Sequence, residues 1–105
     1  IHKDYRKHYG IDIAAPIGTR IYPSAPGIIS SIGENSVSGK TVSIEHGGGY
    51  KTRYLHCNAI YVSKGDEVGY LDPIAEVGAT GAVTGPHLHF ELYKDGRTID
   101  PLGYL

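Results

Sequence analysis

The chain has 105 residues, with 10 Lys and Arg against 11 Asp and Glu and a formal net charge of -1; its basic residues are scattered, so nucleic-acid binding has no electrostatic support. That length fits one domain with a modest core, and the single cysteine, Cys57, excludes an internal disulfide and any multi-cysteine zinc site. No apolar run approaches the roughly 20 residues that cross a bilayer as a helix, so direct membrane insertion by this segment is not expected. Fifteen glycines, nine tyrosines against one Phe and no Trp, and short β-branched runs predict an all-β domain of tight turns and short strands. The chain starts at Ile1 and contains no methionine; it reads as one domain, residues 1–105, excised or processed from a longer chain.

Residues 1–9 (I-H-K-D-Y-R-K-H-Y) are polar, aromatic and irregular. Gly10 breaks that run, and Ile11-Asp12-Ile13-Ala14 alternates as a strand with Ile11 and Ile13 turned inward. Short strands are expected at 19–22 and 27–33, separated by Pro23-Ser24-Ala25-Pro26. Residues 34–39 are expected to form a polar loop, 41–45 a period-2 strand, and 46–49 (H-G-G-G) a hairpin turn. The partner strand, 50–56, is expected to place Tyr50, Thr52, Tyr54 and His56 on one face. A Lys-Gly-Asp turn at 64–66 and a strand at 73–77 follow. In 87–92 (H-L-H-F-E-L), alternation sends His87, His89 and Glu91 one way and Leu88, Phe90 and Leu92 the other. A last hairpin has Asp95-Gly96 at its tip. No amphipathic helix is predicted; at most 58–61 or 101–105 forms one helical turn.

A short internal repeat is also present. Gly18-Thr-Arg-Ile21 followed by 27–33 resembles Gly65-Asp-Glu-Val68 followed by 73–78, each being a turn, a strand, a break and a second strand. Two such units facing each other suggest a sandwich with pseudo-two-fold symmetry.

Three segments offer imidazole or carboxylate on extended faces: His8 with Asp12, His56, and His87 with His89. A catalytic zinc site takes three protein ligands and keeps a fourth position for water. Two neutral histidines and one aspartate meet that need and leave the site at net +1, which favours lowering the pKa of water. The remaining two histidines then serve as acid, base or oxyanion donors.

The ordered set H-Y-G-I-D-I (8–13), A-P-I-G-T (15–19), Y-K-T-R-Y-L-H (50–56), G-A-T-G (78–81), T-G-P-H-L-H-F-E (84–91) and I-D-P (99–101) resembles the lysostaphin-type, LytM-like zinc endopeptidases of bacterial cell walls. The resemblance implies Zn2+ held by His8, Asp12 and His89, with His56 and His87 as the catalytic histidines. It implies a mostly antiparallel sandwich of short strands, of the barrel-sandwich or duplicated hybrid motif type, with a central groove. It implies hydrolysis of peptidoglycan peptides outside the cytoplasm, in a parent chain with other domains. The sequence departs from the family at 34–40, where small residues are usual, and at Cys57-Asn58 after His56.

Other residues have plainer readings. His46 is expected to be a solvated turn residue and His2 a free-end residue. Glu91 either orients a ligand from behind or forms a strand-end salt bridge, and Cys57 is a buried small hydrophobe. Tyr22, Tyr50 and Tyr54 are candidates for a peptide groove, and 81–86 for its wall. Two rival functions remain: an idle interaction module on the same scaffold, and a carrier domain of related β fold, for which Lys94 beside Asp95-Gly96 is the modifiable lysine to consider.

Overall fold

The computed structural model describes residues 10–81 and 85–100. His8, the wall residues 82–84 and the segment 101–105 lie outside the described residues. Within them the chain is entirely β: β1 (Gly10–Ala14), β2 (Arg20–Ile21), β3 (Gly27–Asn35), β4 (Gly39–Gly47), β5 (Tyr50–Ile60), β6 (Glu67–Val68), β7 (Ala75–Val77), β8 (His87–Lys94) and β9 (Arg97–Ile99). All pairings are antiparallel, and the main order is β1-β8-β5-β4-β3-β6.

Strand β5 belongs to two layers. Its first half, Tyr50 to Leu55, pairs with β8; its second half, Cys57 to Ile60, pairs with β7, which in turn pairs with β2. The expected helical turn at 58–61 is therefore largely strand, because residues 57–60 hydrogen bond across to β7 rather than to one another. Ile21, Ala75 and Val77 from the small layer join Val42, Ile44, Tyr54, Leu88 and Phe90 of the main sheet in one buried cluster. Burying a side chain such as Ile44 contributes about 1.5–3 kcal/mol, so this shared cluster is what holds the layers together.

The internal repeat takes a reciprocal form. The first strand of each unit pairs with the second strand of the other: β2 with β7, and β6 with β3. The hydrogen bonds repeat as well. Gly18 N donates to Val77 O (2.9 Å) where Gly65 N donates to Ile29 O (2.8 Å), and Val77 N donates to Thr19 O (2.8 Å) where Ile29 N donates to Asp66 O (2.9 Å). A self-complementary exchange of this kind is what a two-fold axis generates. The Asp95-Gly96 tip also forms as expected, with φ of 52° and 83°, both positive as a two-residue type I′ hairpin requires.

Strand alternation divides the main sheet. Thr52 and Tyr54 of β5 and Leu88 and Phe90 of β8 face the core. Arg53, Leu55, His87, His89 and Glu91 take the opposite face, where the candidate site lies. Ile11 packs against the core, but Ile13 is 45 % exposed and lines an open apolar cavity of about 340 Å³ beside Tyr22 and Leu88.

Candidate functional site

The site begins with two neighbouring strands. Asp12 of β1 stands directly opposite His89 of β8, and Ala14 opposite His87. Because Leu88 and Phe90 are only 8 % exposed in the core, the intervening histidines are locked onto the outer face. Asp12 Oδ1 lies 2.7 Å from His89 Nδ1 and 3.5 Å from His87 Nε2.

Behind His89 stands Glu91, whose Oε2 is 3.1 Å from Nε2. Glu91 also accepts from Tyr93 Oη (2.9 Å) and Arg53 Nη1 (3.3 Å), so it both orients the histidine and forms the ion pair. Burial alone would raise its pKa, but the bonds from His89 and Tyr93, with the Arg53 charge, hold it below the ordinary carboxylate value. Burial likewise disfavours a charged His89, yet its bonds to Glu91 and Asp12 outweigh that and hold its pKa above the ordinary value.

This ring is therefore bracketed by two carboxylates that can only accept, and the place between Nδ1 and Asp12 is one that holds positive charge. Imidazole nitrogen and carboxylate oxygen are the donor types zinc takes, and a carboxylate on the far nitrogen is the usual support of a zinc-binding histidine. Asp12 and His89 thus fit the metal. Gly10 makes the arrangement possible: a Cβ there would lie 2.4 Å from the His89 ring.

His56 reaches the same place by a different route. The sequence places His56 on one face with Thr52 and Tyr54 and reads that face as lining the site, but Thr52 and Tyr54 are buried in the core, where regular alternation would also send His56. Instead β5 carries a bulge between its pairings with Val42 and Lys40, and His56 takes φ of 64°. A left-handed conformation costs a side-chain-bearing residue about 1–2 kcal/mol. Two bonds offset it: His56 N donates to Ser38 O (2.9 Å), and Nδ1 donates to Thr80 O (2.7 Å). The ring now stands 5.3 Å from the His87 ring and 6.3 Å from that of His89, centre to centre. Burial, opposed by the Thr80 bond and helped by the neighbouring histidines, keeps its pKa below the ordinary value.

Since a backbone carbonyl only accepts, Nδ1 of His56 carries hydrogen and Nε2 of the neutral ring is bare. His87 is held in the same way, with Nδ1 donating to Gly85 O (3.0 Å). Both predicted catalytic histidines therefore share one tautomer, fixed by loop carbonyls.

Thr80 is the residue that sequence reasoning did not single out. Besides holding His56 through its carbonyl, its hydroxyl donates to Cys57 O (2.7 Å) and accepts from Lys40 N (3.0 Å). The backbones of Gly39 and Gly81 touch beside it, with a Cβ on Gly81 falling 2.4 Å from Gly39 N. The only signal was the G-A-T-G motif, read for its glycines rather than its threonine. The segment 34–40, where the sequence departs from the lysostaphin-type pattern, is not a loop throughout: it is the end of the β3–β4 hairpin, paired at Glu34 with Lys40 and Asn35 with Gly39, and through Ser38 O it is part of the wall that positions His56.

The other expectations divide. Cys57 is fully buried, and burial pushes its thiol up to about 12, as expected of an inert core cysteine. His46 is not a solvated turn residue: it lies within β4, with Nδ1 donating to Pro26 O (2.8 Å) and Nε2 2.8 Å from Thr52 Oγ1. That places it in a polar chain running through Thr52 and Tyr54 to Ser24, on the far side from the site. Tyr54 is core and Tyr22 lines the apolar cavity, so neither belongs to the His89 face. Lys94 is pinned, donating to Gly48 O (2.7 Å) and lying over the Tyr50 ring, unlike the free tip lysine of a carrier domain.

The sequence profile of peptidase family M23 matches residues 6–101. The peptidoglycan DD-endopeptidase ShyA of Vibrio cholerae is 42 % identical over 102 residues, covering 97 % of this chain and 24 % of its own length. The chain thus spans about a quarter of the length of the curated relatives it matches. A crystal structure described as a zinc-containing peptidase from Vibrio cholerae superposes with a TM-score of 0.84 at 43 % identity, covering 88 % of this chain and 28 % of that one. The catalytic domain of lysostaphin from Staphylococcus simulans superposes with a TM-score of 0.84 at 30 % identity, covering 92 % and 77 %.

Proposed function

Because the chain belongs to peptidase family M23, we propose that it forms a zinc-dependent endopeptidase domain acting on the peptides of peptidoglycan, outside the cytoplasm, within a longer protein. The observation that carries this reading is the convergence of Asp12, His87 and His89 on one point, with the His56 ring beside them. His8, Asp12 and His89 would hold the metal; His8 enters on the family pattern alone. When bound, zinc supplies Lewis acidity toward a carbonyl oxygen and toward water.

The chain's own residues supply the rest. Glu91 holds the His89 ring so that Nδ1 faces Asp12. His56 and His87 each present a bare Nε2, one to take a proton from the attacking water and the other, once protonated, to hold the oxyanion. The rigid backbone anchors of both rings mean that little reorganisation is needed during reaction.

Alanine variants test the division of labour. His56→Ala is expected to keep near-stoichiometric zinc and lose turnover of purified peptidoglycan, whereas Asp12→Ala loses both. Full activity in His56→Ala would sink the assignment. A chelator should abolish wild-type turnover, and added zinc should restore it.

A further inference from the structure

The outer face of the main sheet is built in rows across the strands. One row holds Leu55, His89 and Asp12; the next holds Ser43, Arg53, Glu91 and Gly10; a third holds Glu45, Lys51 and Tyr93. Successive rows on a face are about 7 Å apart, because side chains two residues on along a strand share it. Among the described residues, Arg53 is therefore the first cation met on the floor when moving from the Asp12–His89 row toward Tyr93, and its row is otherwise made of small residues and one carboxylate.

That carboxylate does not use up the guanidinium. The Glu91 side chain is 8 % exposed and the Arg53 side chain 29 %, so the arginine lies over a sunken acid. Glu91 has shorter bonds with Tyr93 and His89, at 2.9 and 3.1 Å, than with Arg53 at 3.3 Å. Both Arg53 contacts among the described residues, to Glu91 Oε1 and to Tyr93 Oη (3.4 Å), are made by Nη1. The edge formed by Nε and Nη2 is the planar pair of donors that receives a carboxylate in two parallel bonds. Lys51 in the next row, its ammonium 4.8 Å from the centre of the Tyr93 ring, extends positive charge in the same direction.

We propose, resting on the peptidase reading above, that Arg53 determines specificity by receiving a carboxylate carried by the substrate peptide one row away from the reacting bond. The ligand class is an anionic peptide, with its charge on a side carboxylate rather than at the scissile amide. Arg53 contributes binding and register; the proton transfers remain with His56 and His87. Two N–H donors aimed at a carboxylate lose much of their interaction when it becomes an amide, since an amide offers one acceptor and no charge.

The test uses two synthetic peptides, L-Ala-γ-D-Glu-meso-diaminopimelyl-D-Ala with its side carboxylates free and the same peptide with them amidated, both C-terminally amidated. Binding to the zinc-loaded chain is measured by calorimetry and hydrolysis of the matching cross-linked dimers by chromatography. Wild type is expected to bind the free-carboxylate peptide at least ten-fold more tightly than the amidated one. With zinc held saturating in every measurement, because Arg53 also bonds the Glu91 that supports His89, Arg53→Gln should erase that preference while leaving binding of the amidated peptide near wild type, and Arg53→Lys should restore only part of it. Equal wild-type binding of the two forms, equal weakening of both by Arg53→Gln, or no binding of either overturns the proposal. If Arg53→Gln fails to fold, the wild-type preference and Arg53→Lys still decide. A wild type that discriminates between the peptides but hydrolyses neither dimer refutes the peptidase reading and leaves Arg53 as the carboxylate receptor.

Discussion

The two halves of the site are built from different materials. On one side, Asp12, His89 and Glu91 stand on neighbouring strands, the His89 ring held between the two carboxylates by side-chain bonds. On the other, His56 and His87 are held at Nδ1 by the loop carbonyls of Thr80 and Gly85. The difference suits the tasks proposed for them. A ring flanked by carboxylates is oriented to share a cation, whereas a ring tied to a neutral carbonyl keeps one tautomer and can gain or lose a proton at the bare nitrogen. Strand-built geometry depends on register, and loop-built geometry on a few tertiary hydrogen bonds.

The comparison can be broken most sharply at Gly10. Gly10→Ala puts a methyl group 2.4 Å from the His89 ring, so zinc content measured by atomic absorption and turnover should both fall by about 100-fold or more, the scale of a misplaced catalytic group. The fold should persist, because the added atom meets chiefly the His89 side chain on the outer face of the sheet rather than the core cluster. Unchanged zinc in that variant would show that the strand-built half tolerates displacement.

Glu91→Gln tests the same half more gently. The amide keeps the size but weakens the support of His89 Nε2, and zinc affinity is expected to fall about 10- to 100-fold, measured by competition with a chromophoric chelator. Loss of turnover at saturating zinc, with affinity unchanged, would move Glu91 out of the supporting role.

Thr80→Val addresses the loop-built half, removing the hydroxyl bonds to Cys57 O and Lys40 N. Each such bond contributes about 0.5–1.5 kcal/mol to stability. Turnover number should fall on the order of ten-fold, with zinc content and KM near wild type, because the carbonyl that holds His56 shifts. Thr80→Ser should recover most of the loss. A fall in melting temperature with no change in turnover number would make Thr80 merely structural.

Much of this molecule was legible in its sequence because strand alternation is a local property. The pattern in H-L-H-F-E was enough to separate His87, His89 and Glu91 from Leu88 and Phe90, and the Asp-Gly pair was enough to locate the last hairpin, since a tight turn with two positive φ angles suits few residues. The short repeat pointed to two-fold symmetry, although its reciprocal strand exchange appears only in the hydrogen bonds. His46 was misread because three following glycines suggest a turn, while the acceptors for its ring come from Pro26 and Thr52 at a distance.

What the sequence determined by itself, through period-2 patterning and the types of donor it carries, was an all-β chain with Asp12 and His89 on an outward face. The tertiary structure decided where His56 points. Alternation along β5 sends that ring into the core, and the left-handed backbone that turns it outward is unfavourable on its own. It persists because Ser38 and Thr80, remote in sequence, supply the hydrogen bonds that offset the strain.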